Sequence, residues 1–297
     1  MSALSNRPDQ NEESKSEGEH ANEELGEKQE ESDEDEEEEE YEPRYSVKEL
    51  AEMVLDFYSF LATLHYDPSD LKIPPPVGWP VECLPKGVMR RKSPRTVELM
   101  RHLPYFEQAE KSTHVHYKCM LYDYTDATEH DHVRERDKNY FESVGELESI
   151  DGDKLDPADM LILAWGYESG GHYLLLDALR GEMTVDVVRY HLLSPEPIED
   201  FFSDLKEAYR SLKLIPCPGR ETEEAAWVPE GGQRIEQSAV LAQEDKWGTE
   251  LDWQFVRQVY REHGWPDAFR RKEAVRAIED LMALKAEERD TWEEAFY

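Results

Sequence analysis

The stretch that decides the fold is Met160–Val188, which reads MLILAWGYESGGHYLLLDALRGEMTVDVV. Met160–Trp165 is a continuous apolar run of strand length, typical of a strand buried on both faces. His172–Ala178 is a second run of strand formers, and Met183–Val188 alternates apolar and polar residues. Because short glycine-bearing turns separate the runs, the sequence predicts three neighbouring antiparallel strands.

Two turns join these strands, and each contains residues that a tight turn requires. The first turn holds Gly166, Gly170 and Gly171, and the second ends at Gly181. The first turn leads into a strand and not a helix, so it does not predict a phosphate cradle. Asp177, which ends the second strand, could be a buried carboxylate of a functional site. We predict instead that it caps the following turn, because Asp side chains commonly accept turn N–H groups.

Helical patterns surround these strands, so the predicted fold class is α+β, an antiparallel sheet packed against helices. Ser46-Val-Lys-Glu49 fits a capping box and opens a predicted helix over residues 46–65. Residues 198–213 carry an apolar stripe long enough to cover one face of the sheet. His116–Asp123 predicts one more strand, whereas Asp126–Gly152 is charged and predicts a loop or insertion.

The C-terminal part predicts a pair of helices docked against the sheet. Thr249 and Asp252 form a capping pattern, and Gly264 suits the end of that helix. Asp267 is the predicted N-cap of the last helix. The predicted organisation is a disordered acidic tail at 1–44, an α+β domain at 45–219, a linker at 220–248 and a helical extension at 249–297.

Ile73–Pro85 contains five prolines around Gly78-Trp79 and predicts extended, polyproline-like chain. Two interpretations stay open. The segment could be a docking motif for proline-binding modules, or a rigid crossover whose Trp79 packs on the core. The run is short and lies between two ordered elements, which favours the crossover.

The chain is strongly acidic, with a formal net charge of −35 over 297 residues. Met1–Glu42 alone has 19 Asp and Glu against three basic residues, so it cannot bury enough apolar area to order its backbone. This balance argues against nucleic acid or an anionic membrane as a partner. It favours either basic protein partners such as histones or a tail that only keeps the chain in solution, and deletion of Met1–Glu42 would show whether the tail binds such partners.

Cys83, Cys119 and Cys217 are few and far apart, with no C-x-x-C pair. Such a set predicts free thiols in a reducing compartment. The N-terminus shows no apolar signal region, and no run reaches the ~18–20 apolar residues of a membrane span. The expected location is cytoplasmic or nuclear.

Two histidine pairs are the candidates for enzyme chemistry. His114-x-His116 would place both imidazoles on one face of a strand, and His130-Asp-His132 repeats the spacing. Neutral imidazoles with a carboxylate suit zinc or non-haem iron. A metal-dependent enzyme is therefore the alternative function, although nothing in the sequence forces the two pairs together.

Met160–Leu212 resembles the core of the SUKH superfamily, the group of fungal cell-wall-assembly regulators and bacterial immunity proteins. The matching features are the apolar strand, the turn Gly166–Gly171, the strand end Leu174-Leu175-Leu176-Asp177, Gly181, and the helix pattern Phe201-Phe202-x-x-Leu205. Pro94–Tyr105 resembles the helix and Leu-Pro region upstream, and the whole chain resembles uncharacterised fungal proteins of similar layout. The resemblance implies an α+β fold for protein binding, without catalysis or a cofactor. We therefore expect a non-enzymatic binding or scaffold module that acts through its folded acidic surface.

Overall fold

Helices and strands alternate irregularly along the chain, and the α+β prediction is confirmed. The computed structural model describes residues 42–64, 67–107, 113–143, 147–148, 152, 154–189, 191–217, 222–244 and 247–285. The predicted acidic tail falls almost entirely outside them. The helices are α1 (Val47–Leu64), α2 (Lys86–Met89), α3 (Pro94–His102), α4 (His130–Ser143), α5 (Ile198–Arg210), α6 (Gln237–Leu241), α7 (Glu250–Glu262) and α8 (Arg271–Lys285).

The strands form one main antiparallel sheet and three two-stranded pairs. They are β1 (Leu71–Lys72), β2 (Tyr105–Phe106), β3 (His114–His116), β4 (Cys119–Leu121), β5 (Leu147–Glu148), β6 (Lys154–Leu155), β7 (Met160–Gly166), β8 (His172–Asp177), β9 (Glu182–Val187), β10 (His191–Leu192), β11 (Glu196–Pro197), β12 (Leu214–Pro216) and β13 (Thr222–Glu224). The main sheet has the order β10-β9-β8-β7-β4-β3, and β11 also pairs with β9. The small pairs are β1-β2, β5-β6 and β12-β13.

The three predicted central strands are confirmed as β7, β8 and β9. Met160 pairs with Asp177 across β7 and β8, and Leu176 pairs with Met183 across β8 and β9. The prediction of one strand over His116–Asp123 is wrong, because a hairpin of β3 and β4 occupies this region. Lys118 in its turn has a φ of 45°, which ends an extended strand.

The predicted helices at the two ends of the domain pack together. Ser46 and Glu49 make both bonds of the capping box, with the Ser46 N–H donating to the Glu49 carboxylate at 2.7 Å and the Glu49 N–H to the Ser46 hydroxyl at 3.2 Å. The rings of Phe57 on α1 and Phe202 on α5 stack at 4.6 Å. Helix α5 also contacts β9, so it covers the sheet as its apolar stripe predicted.

The loop predicted over Asp126–Gly152 is wrong, since it contains the helix α4. Tyr140 stacks on Tyr173 of β8 at 4.5 Å and donates a hydrogen bond to Asp186 of β9 at 2.9 Å. Arg136 lies 3.7 Å from the ring centroid of Trp165 on β7. Because side chains alternate along a strand, Leu174 and Val185 face the opposite side of the sheet. Helix α4 therefore covers the sheet face of Tyr173 and Asp186.

The C-terminal helices are present, but they dock at the end of α5 and on β12. The Tyr260 hydroxyl donates to Pro216 O at 2.7 Å, and the Trp265 indole N–H donates to Tyr209 O at 3.1 Å. The capping box of Thr249 and Asp252 is confirmed, and Gly264 has the expected positive φ of 87°. The N-cap prediction for Asp267 is wrong, because α8 starts only at Arg271.

The stretch 220–248, predicted to be a linker, contains β13 and α6. Its buried residues are single positions among polar neighbours, which explains why its composition indicated a linker. They are Thr222, Ala225, Val228, Val240 and Trp247.

The turn between β7 and β8 needs its glycines because two backbones approach closely there. A Cβ on Gly171 would overlap Tyr167 O and lie 2.7 Å from Lys118 O, and both are backbone atoms. We expect Gly171→Ala to lower the free energy of unfolding by about 1–3 kcal/mol through overpacking. Gly232→Ala is the matched control, because a Cβ there meets no atom within 4 Å. Urea unfolding of both variants measures this; equal stabilities would contradict the close approach.

Candidate functional site

An exposed apolar loop lies between β1 and α2. We call Ile73–Cys83, which carries Pro74, Pro75, Pro76 and Pro80, the proline ridge. The side chains of Ile73, Val77 and Val81 are 61%, 76% and 44% exposed. Isolated exposed aliphatic residues are normal on a protein surface, but grouped ones mark interaction sites, and these three lie within nine residues of the chain.

The backbone of the proline ridge is fixed by hydrogen bonds. The Gly78 N–H donates to Pro75 O at 2.8 Å, which closes a β-turn, and Gly78 has a φ of 77°. Arg101 at the end of α3 donates to Val77 O at 2.8 Å and to Trp79 O at 3.1 Å. The prediction of extended chain is therefore wrong at this turn, while the aliphatic side chains stay in solvent.

Trp79 anchors the proline ridge to the body of the protein. Its indole N–H donates to Leu103 O at 2.8 Å, its backbone N–H donates to Arg101 O at 2.7 Å, and its ring lies 6.4 Å from that of Tyr105. The interpretation as a rigid crossover whose Trp79 packs on the core is confirmed. Val77 points outward while Trp79 points inward, so the ridge also keeps an exposed apolar side chain with which it could dock.

The sequence around the proline ridge is basic in an acidic chain. Residues 71–102 carry seven Lys or Arg and two Glu, a net charge of +5. Five of the basic side chains are engaged with other residues, namely Lys72 with Asp123, Arg91 and Lys92 with Asp137, Arg95 with the carbonyls of Tyr45 and Ala178, and Arg101 with Glu98. Lys86 and Arg90 are exposed and form no ion pair with any described residue. They supply uncompensated positive charge beside the ridge.

One of the three cysteines belongs to the proline ridge. Cys83 is exposed, whereas Cys119 and Cys217 are buried, and all three are free thiols as predicted. Burial raises the pKa of the Cys119 thiol well above its usual range. Cys83 is therefore the accessible thiol of the three.

The histidine pairs do not meet in one site. His114 is buried against the Tyr167 ring, while the ring of His116 lies 4.1 Å from that of His172. A bulge between His114 and His116 interrupts the alternation that would have put them on one face. His130 and His132 lie in the first turn of α4, where His130 Nε2 is 3.1 Å from Tyr124 O.

These four histidines all lie within the described part of the chain. No group of three or more His, Cys, Asp or Glu side chains in that part is placed to hold a metal ion. The two pairs therefore do not supply the ligand set that the metal alternative requires.

Burial of His114 makes the stability of the fold depend on pH. Desolvation lowers the pKa of His114 from 6.5 to about 4, so the folded state keeps it neutral while the unfolded chain protonates it near pH 6.5. The stabilising contribution is complete above pH 6.5 and is lost as the pH falls towards 4. His114 should contribute about 2 kcal/mol to the loss of stability between pH 7 and pH 5, measured by urea unfolding, and burial of His116, which lowers its pKa to about 3, adds to this loss. His114→Gln should reduce this loss; an unchanged pH dependence would contradict the assignment.

The turn residues of the sheet have structural roles. Asp177 Oδ1 accepts the N–H groups of Leu179 and Arg180 at 2.8 and 2.9 Å, which confirms the predicted turn cap. Burial raises the pKa of Asp177, and these two hydrogen bonds oppose that rise. Gly181 has a φ of 70° and lies against the Tyr45 ring, where a Cβ would be 2.7 Å from Tyr45 Cε2.

Comparison of the chain with family models, with curated proteins and with solved structures found no match. Among the residues that the structure describes, no helix is both long and apolar enough to cross a membrane.

Proposed function

We propose that this chain is a non-enzymatic protein-binding or scaffold module of the SUKH type, and that the proline ridge is its contact surface. The observation that carries the proposal is the exposure of Ile73, Val77 and Val81 on a backbone held by Arg101 and Trp79. Burial of exposed apolar side chains is the main favourable contribution to most protein–protein association. An ordered loop presents such side chains without further loss of backbone entropy on binding.

The partner is expected to offer an apolar pocket with an acidic rim. Val77 supplies the most exposed apolar side chain, and Lys86 and Arg90 follow the ridge with uncompensated positive charge. Charge complementarity at the rim of an interface increases the association rate and selects between partners. The proposed contact surface is thus the ridge with its basic neighbours, and not the acidic surface that the composition of the chain favours. Basic partners are still expected for the acidic tail.

The test compares two exposed apolar positions. Val77→Glu places a charge in the centre of the ridge, and Leu284→Glu places the same charge on α8, where the side chain is 66% exposed. We expect Val77→Glu to weaken binding of the captured partner by about 10- to 30-fold, because the interface would bury an unpaired charge, and Leu284→Glu to leave it unchanged. Affinity capture with quantitative mass spectrometry measures the ratio.

Both variants should keep the wild-type melting temperature, since both positions are exposed. Partners that are lost equally from the two variants, or from neither, would show that the ridge is not the contact surface.

A further inference from the structure

A second exposed apolar surface follows β13, far from the proline ridge in the sequence. Ala226, Trp227 and Pro229 are exposed there, and Trp227 is 59% exposed. We call residues 226–229 the tryptophan patch. A tryptophan side chain buries about 150–250 Å² when it is covered, and tryptophan is enriched among the residues that dominate the energy of interfaces. Its exposure therefore indicates a contact surface more strongly than that of a single aliphatic residue.

Hydrogen bonds hold the tryptophan patch in place. The Trp227 indole N–H donates to Glu224 O at 3.1 Å, which restricts the orientation of the ring. The Val228 N–H donates to Ala225 O at 3.0 Å, and the buried Arg257 donates to Ala225 O at 2.6 Å and to Val228 O at 2.8 Å. Because the backbone and the ring are already fixed, a partner that covers Trp227 pays little further conformational entropy.

The charges around the tryptophan patch and the proline ridge are opposite. Residues 222–236 carry four Glu and one Arg, a net charge of −3, whereas residues 71–102 have a net charge of +5. Near the patch, Glu224 is exposed and forms no ion pair with any residue in the described part of the chain. It is the counterpart of Lys86 and Arg90, the exposed cations beside the ridge. The two surfaces are thus complementary in charge.

The apolar groups of the two surfaces also suit each other. The ridge presents proline rings and aliphatic side chains, and aromatic side chains are the usual receptors of proline-rich segments. Neither surface is covered within one chain, since Val77 is 76% and Trp227 is 59% exposed. The ridge and the patch of the same copy therefore do not contact each other. Two different copies can bring them together.

We propose that the proline ridge of one copy of this chain binds the tryptophan patch of a second copy. Trp227 packs on Val77 and the prolines of the ridge, and Glu224 faces the basic side chains at the rim. Each such contact joins two different surfaces, so further copies can add to form a ring or an open chain. This inference rests on the proposed function, because it names a partner for the same ridge.

Sedimentation equilibrium of the full chain tests the contact. Concentrations from about 10 µM to about 1 mM cover the range of weak association. At about 150 mM salt the Debye length is about 8 Å, which limits the general repulsion between two acidic copies. We expect the average mass to rise with concentration. Val77→Glu should weaken the association by about 10- to 30-fold, and Trp227→Ala by about 30-fold or more.

Leu284→Ala on α8 is the matched control, since Leu284 is 66% exposed and outside both surfaces. It should associate as the wild type does. Thermal melts check that every variant is folded, and all three positions are exposed. Association that neither Val77→Glu nor Trp227→Ala weakens would overturn the inference.

A mixture of the two weakened variants identifies the contact. The Val77→Glu chain keeps an intact patch and the Trp227→Ala chain keeps an intact ridge. Mixed in equal amounts, they should form pairs with the affinity of the wild-type contact and nothing larger. A mixture that forms no pairs would contradict binding of ridge to patch.

The result is separable from the test of the proposed function. A wild-type chain that stays monomeric at every concentration overturns this inference alone, because it shows that a second copy does not cover the ridge. The capture experiment with Val77→Glu then decides by itself whether the ridge binds a different protein.

Discussion

Replacing Arg257 by methionine should lower the free energy of unfolding by about 3–5 kcal/mol, because several buried acceptors lose their donor at once. The Arg257 guanidinium is 2% exposed and donates to Leu212 O, Val228 O and Ala225 O at 3.1, 2.8 and 2.6 Å. It therefore joins α7 to the end of α5 and to the segment after β13. Methionine fills part of the volume and satisfies none of the three carbonyls.

Arg261→Met is the matched control, one turn further along α7. Arg261 pairs with an exposed glutamate and is itself 45% exposed, so its loss should cost less than about 1 kcal/mol. Urea unfolding followed by circular dichroism measures both variants. Equal destabilisation of the two would mean that the carbonyl contacts of Arg257 do not hold the C-terminal helices in place.

Asp137→Ala should have a comparable effect, about 3–5 kcal/mol, because it leaves a buried cation without its partner. Asp137 on α4 is fully buried and contacts Lys92 at 3.2 Å and Arg91 at 2.6 Å. The Lys92 side chain is 1% exposed, and burial lowers its pKa while Asp137 raises it. Without Asp137, Lys92 must lose its charge or pull away from the core.

A double variant distinguishes the loss of the charge pair from the loss of packing. Asp137→Leu combined with Lys92→Met replaces the buried ions with apolar groups of similar volume, which is often neutral or stabilising. We expect the free energy of unfolding of this double variant to exceed that of Asp137→Ala by about 2 kcal/mol or more. A double variant no more stable than Asp137→Ala would contradict a buried charge as the cause.

The central sheet could be predicted because its sequence pattern and its burial coincide. Met160–Trp165 is apolar at every position and forms a strand with both faces covered. The helix at 198–213 was equally clear, since Phe201, Phe202 and Leu205 recur at helical spacing and are all buried.

Helix α4 could not be predicted from hydropathy, because a charged residue occupies the centre of its buried face. Its buried side chains are Val133, Asp137 and Tyr140, and Asp137 is paired with cations from another part of the chain. These three buried positions are spaced by four and three residues, as on one face of a helix. The charge of Asp137 made the face look polar, because its ion pairs with residues elsewhere in the chain are not visible in the sequence. The hairpin of β3 and β4 could not be predicted either. Its turn at Lys118 contains no glycine or proline, the residues that usually mark a turn in a sequence.

The sequence shows the proline-rich segment, but it does not predict which of its side chains are exposed to solvent. Which aliphatic side chains stay in solvent depends on how Arg101 and Trp79 fix the loop, and these hydrogen bonds join residues more than 20 positions apart in the sequence. The basic run from Lys86 to Arg95 was visible in the sequence as well. Only the structure separates Lys86 and Arg90, which are exposed, from Lys92, which is buried in an ion pair.

Alkylation of Cys83 is the most direct test of the ridge as a contact surface. Cys83 is the exposed thiol, and Cys119 and Cys217 are buried, so the rate of its reaction with iodoacetamide reports on one point of the ridge. Mass spectrometry gives this rate for the purified chain with increasing amounts of its captured partner. We predict that the rate falls towards zero as the partner saturates, and that the Val77→Glu chain needs about 10- to 30-fold more partner for the same fall. An unchanged rate for Cys83 at saturating partner would contradict the account.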